Sequence, residues 1–83
     1  MLITDQTSYT SDAINQHSQA IAELYVTITG PGPVYLEQQS ADGSWAAYPE
    51  TTFEGDQAKI VAIRRGQYRV RIDATAATTV EIR

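Results

Sequence analysis

The chain has 83 residues, a net charge of −4, no cysteine and a single histidine, His17. A domain this short buries roughly 60% of the surface its unfolded chain exposes. Disulfides and a His/Cys metal cage are both excluded, so association with other subunits is the remaining means of reinforcement. No apolar run approaches the roughly 18 residues of a membrane span, and an acidic chain is a poor match to nucleic acid.

The opening residues, MLITDQTSYTSD, carry neither a basic leader nor an apolar stretch of signal-peptide length. With the cysteine-free composition, this points to synthesis in the cytosol. Residues 1–19 are polar and have little apolar spacing. They read either as an extended N-terminal arm, with a short strand carrying Ile14, or as a short helix from about Asp12. That helix would be capped by Ser11 or Asp12 and would set Ala13, Ile14, Ala20 and Ile21 on one face. An arm that leaves the domain would be suited to pairing with a neighbour.

Residues 20–83 read as a β-sandwich domain. In AIAELYVTIT, Ala22, Leu24, Val26 and Ile28 alternate with Glu23, Tyr25, Thr27 and Thr29, which is the period of a strand. GPGP, Gly30 to Pro33, ends it, because proline lacks a donor and glycine supplies unusual dihedrals. VYLEQQ resumes the alternation, with Val34 and Leu36 inward and Tyr35 and Glu37 outward. ADGS turns and WAAY begins the next strand. In the polar segment PETTFEGDQ, Phe53 is expected to tuck a loop onto the core. AKIVAI, Ala58 to Ile63, is more continuously apolar than the other runs, as a strand covered on both faces would be. QYRVRID sets Tyr68, Val70 and Ile72 against Gln67, Arg69, Arg71 and Asp73, and ATAA links it to TTVEIR. The expected fold is therefore all-β: a small antiparallel sandwich or barrel of six to seven strands, with the N-terminal arm or helix outside it.

Charge is divided along the chain. Asp5, Asp12, Glu23, Glu37, Asp42, Glu50, Glu54 and Asp56 precede Lys59, whereas every lysine and arginine lies from Lys59 onward. Either strands of the two halves pair their charges within one sheet, or acidic and basic faces meet between subunits.

Nothing in the chain encodes a reaction. A Ser-His-Asp set would need His17, which sits between glutamine and serine and reads as a solvated surface residue. GPGP opens no helix and its prolines remove the amides a phosphate loop needs. Glu50, Glu54 and Asp56 lack calcium-loop spacing and read as a solvated acidic loop. No catalytic residue, metal or cofactor is expected. The one ligand-like cluster is Asp42, Trp45 and Tyr48, a carboxylate with two aromatics as in sugar-binding sandwiches. The simpler reading makes Asp42-Gly43 a hairpin turn and points Trp45 inward beside Val34 and Leu36.

A strand closed by a Gly/Pro turn, then Val34 and Leu36, Asp42-Gly43 and Trp45, then Gly66, Tyr68, Arg69 and Ile72, is an order that resembles the small all-β structural proteins of tailed bacteriophages. The resemblance covers about residues 24–83. It implies a non-enzymatic virion component made in the host cytoplasm: a capsid decoration protein, head-fibre base or tail module, often trimeric. Its partners would be other capsid or tail proteins, with no nucleic acid or membrane involved. Arg64, Arg65, Arg69 and Arg71 are the expected basic contacts, with Ile14 from the arm. The competing expectation is that Arg69 and Arg71 pair with acids across their own sheet. The alternative function is a carbohydrate-binding or host-attachment module using an exposed Trp45 and Tyr48.

Overall fold

The computed structural model describes residues 1–16 and 21–83. It is nearly all β, a single curled antiparallel sheet of eight strands. These are β1 (Leu2–Thr10), β2 (Ile14–Gln16), β3 (Ala22–Thr29), β4 (Val34–Gln39), β5 (Trp45–Ala46), β6 (Thr52–Phe53), β7 (Gln57–Ile63) and β8 (Gly66–Ile82). A 3-10 turn, Pro49–Thr51, leads into β6.

The organising element is β8, which runs for 17 residues. Its first half pairs with β4, from Gln38↔Tyr68 to Val34↔Ile72. Its second half pairs with β3, from Thr29↔Thr79 to Val26↔Ile82. β1 and β2 lie end to end along it as well, so Ile72 sits between Val34 and Tyr9, and Val80 between Ile28 and Ile3. β7 continues the sheet beyond β3, while β5 and β6 continue it beyond β4.

Alternation decides the core. Val26 and Ile28, Val34 and Leu36, Val70 and Ile72, and Val80 and Ile82 all point to the buried side and close on Phe53, Val61 and Ile63. The bend between the two halves of β8 faces the Gly30–Pro33 turn. There Thr78, with no solvent exposure, accepts the Gly32 amide at 3.3 Å through Oγ1 and donates to the Ala76 carbonyl at 3.0 Å. The Thr75 amide donates to the Gly32 carbonyl at 3.0 Å, and Asp56 Oδ1 accepts the Gly30 amide at 2.6 Å. The turn is thus held from both the bend and the loop before β7.

Several sequence expectations are corrected by this geometry. The segment ATAA does not separate two strands, because β8 runs through it while paired on β1 and β3. AKIVAI is covered on one face only: Val61 and Ile63 are buried while Ala58, Ile60 and Ala62 are exposed. A strand at the end of the sheet has core on one side alone. The N-terminal segment does not project as a free arm through residue 10. Leu2–Thr10 pairs along β8 of its own chain and buries Ile3. It does so with two register shifts, on either side of Gln6, and with Asp5 at a φ of 51°. A long strand such as β8 needs partners for its backbone groups, and the nearest threonine-rich segment supplies them. The helix considered from Asp12 is absent in residues 12–16, where Ile14–Gln16 is a strand. His17 and the Ala20 end of that helix lie outside the described residues.

Candidate functional site

The outer faces of β4 and β8 assemble one continuous layer of side chains. Register sets Tyr35 opposite Arg71 and Glu37 opposite Arg69, and β5 sets Trp45 opposite Gln39. Directly opposed residues share a face, so aromatics, arginines and the acid all project on the side away from the core. The Tyr35 ring lies 4.3 Å from the Arg71 guanidinium. Arg71 Nε donates to Glu37 Oε2 at 3.1 Å, and Arg69 Nε donates to Glu37 Oε1 at 2.8 Å. The Arg69 guanidinium then lies 4.4 Å over the Trp45 ring. The order is Tyr35, Arg71, Glu37, Arg69, Trp45, with each cation between a π face and a carboxylate.

Glu37 is only 6% exposed although it is on the outer face, because the two arginines lie over it. Burial by itself would raise its pKa. Hydrogen bonds from Arg69 and Arg71, and their charges, outweigh that and hold the carboxyl below the ordinary glutamate value. A depressed folded pKa means that this acid stabilises the fold fully above its unfolded value, about 4.3. The contribution is lost as pH falls through the lower folded value. Glu37→Gln is therefore expected to cost about 1–3 kcal/mol near neutrality, the partial exposure of both arginines softening the loss. In urea titrations at a series of pH values, the gap between wild type and variant should stay constant above about pH 5 and shrink below about pH 4.3.

The sequence-level candidates are distributed differently from the expectation. Arg69 and Arg71 pair with Glu37 across their own sheet. Arg64 and Arg65 occupy the exposed turn between β7 and β8. Ile14 is half-buried opposite Tyr68 and packs against the core. Trp45 does not point inward: it is half-buried on the outer face under Arg69. The reason is parity, since pairing with Gln39 puts it on the face opposite Leu36. Asp42 is spent locally, accepting the Ser44 amide at 3.0 Å and its hydroxyl at 2.7 Å, and the Ser44 hydroxyl draws its pKa below the ordinary value. Tyr48 is exposed and lines a shallow depression with Gln38, Glu50, Ala62 and Arg64. Glu37 and Tyr35 escaped the sequence reading as site residues. Their outward alternation was visible, but nothing local announced which strand would lie beside β4.

A second exposed feature lies on β3 and β7. Tyr25 and Ile60 face each other across the two strands, each 55% exposed. Thr27 and Ala58, opposed to each other on the same outer face, line an open depression with them. Among the described residues, no group of histidine, cysteine, aspartate or glutamate has the arrangement of a metal site. None of the helical segments among those residues is long and apolar enough to cross a membrane. Comparison with protein-family models, curated proteins and solved structures yields no significant match to this chain.

Proposed function

We propose that this protein is a non-enzymatic structural subunit that docks on other protein subunits, in the manner of small tailed-phage virion proteins. In this reading the curled sheet is a small sandwich whose halves meet at the β8 bend. The outer face of β3 and β7 is the docking surface. The observation that carries the proposal is the Tyr25–Ile60 pair: two large apolar side chains, both more than half exposed, beside Ala58 and Ala62. Water gains nothing from contact with them, and aromatic and apolar groups of this kind are what interface centres use. The resemblance of residues 24–83 to phage structural proteins points to the same assignment. The sugar-binding alternative has less support, because Arg69 already covers the Trp45 ring that a sugar would stack on.

Light scattering at micromolar concentration tests the proposal. The wild-type protein should scatter as an oligomer, with a trimer favoured, or should bind capsid or tail subunits. Ile60→Glu alters an exposed position and should yield a monomer with an unchanged circular dichroism spectrum. A wild-type monomer that binds no virion subunit would sink the reading.

A further inference from the structure

We propose that Arg69 and Arg71 together form a binding site for a carboxylate, presented by an acidic peptide segment of a partner protein. Each arginine gives only its Nε to Glu37. Among the described residues, none of their Nη atoms donates a hydrogen bond. Those atoms are the two-pronged ends of the guanidinium forks, which match the spacing of two oxyanion oxygens. The side chains are 26% and 35% exposed, so both arginines remain in reach of solvent.

The site is held in place before any ligand arrives. Tyr35 and Trp45 stack on the outer sides of the two guanidiniums, and Glu37 fixes them from between. A ligand therefore orders little on binding. Two arginines and one glutamate leave a single positive charge in the layer, and Asp73 follows two residues after Arg71 on the same face. Asp73 offsets even that charge across the face, so the site offers fork geometry rather than net charge, and a phosphate dianion or a nucleic-acid backbone would need more cations. A partner's glutamate or aspartate fits the forks in shape. The site is separate from the Tyr25–Ile60 face, so it stands whether or not that face assembles.

Trp45 is the only tryptophan and touches Arg69, so its emission reports the site directly. A short, terminally blocked glutamate peptide should change that emission saturably, with an apparent affinity that weakens at high salt. The matching glutamine peptide should leave it unchanged. Arg71→Lys keeps the charge beside Glu37 but loses the fork, and should weaken the glutamate peptide by about tenfold with an unaltered fold. Equal responses to the glutamate and glutamine peptides, or an unweakened Arg71→Lys, would overturn the assignment. Acetate binding as tightly as the peptide would overturn the peptide partner. Inorganic phosphate or a single-stranded oligonucleotide binding more tightly than the glutamate peptide would overturn the carboxylate.

Discussion

Phe53→Ala is expected to abolish most of the stability of this domain. Phe53 is the largest of the fully buried side chains, 1% exposed, opposite Val34 on β4. It comes from a strand of two residues, and with buried Thr51 this ring anchors the 3-10 turn and β6 to the core. The Lys59 ammonium lies 5.9 Å from the ring centre and donates to the Glu50 carbonyl at 2.9 Å, bridging β7 to the same segment. Truncating a buried phenylalanine costs about 3–5 kcal/mol, because the transfer loss adds to the cavity left behind. Domains of this size stand near the lower end of the 5–15 kcal/mol range typical of native proteins. Urea unfolding followed by circular dichroism should show the midpoint cut by about half or more, or no cooperative transition at all. Phe53→Leu, which keeps most of the volume, should restore most of the loss. A cost for Phe53→Ala below about 1 kcal/mol would contradict a closed core at this position.

Gly30→Ala is expected to be nearly as damaging, for a different reason. A Cβ on Gly30 would lie 2.8 Å from the Ala77 carbonyl oxygen and 2.9 Å from both Cα and Oγ1 of Thr78. Two of these are backbone atoms of β8 and cannot swing aside. The residue also has a φ of 126°, a region that side chains other than glycine avoid. The clash must open the contact between the Gly30–Pro33 turn and the bend of β8, loosening the buried Thr78 hydrogen bonds. A loss on the order of 3 kcal/mol or more is expected. Gly43→Ala is the control. Gly43 has a φ of 90° but no atom within 4 Å of the added methyl, so only backbone strain remains, on the order of 1 kcal/mol. The difference between the two variants in thermal unfolding measures the close approach of turn to bend. Equal losses would show that the approach contributes nothing.

The strands of the centre were legible because alternation is a local property. Val26 and Ile28, Val34 and Leu36, and Val70 and Ile72 announce a buried face whatever lies next to them, and Arg69 and Arg71 go outward by the same rule. The GPGP and DG turns were legible for the same reason, since glycine and proline act on their own dihedrals. The N-terminal strand was not. LITDQTSYT has one inward apolar residue, Ile3, and it becomes a strand only because β8 is long enough to need a partner there. The continuation of β8 through Ala74, Thr75, Ala76 and Ala77 was hidden too, since small residues carry no periodicity.

What the amino-acid order could specify alone was which residues face in or out along each strand. Which strands lie side by side, and in what register, came from the packed fold. Trp45 turned outward because its pairing with Gln39 carries it to the Glu37 side, and a shift of one residue would have put it in the core. Glu37 met Arg69 and Arg71 because β4 and the first half of β8 are neighbours, although more than thirty residues separate them in the chain. Alternation depends on covalent neighbours, whereas a cross-strand ladder depends on contacts that exist only after the chain has folded.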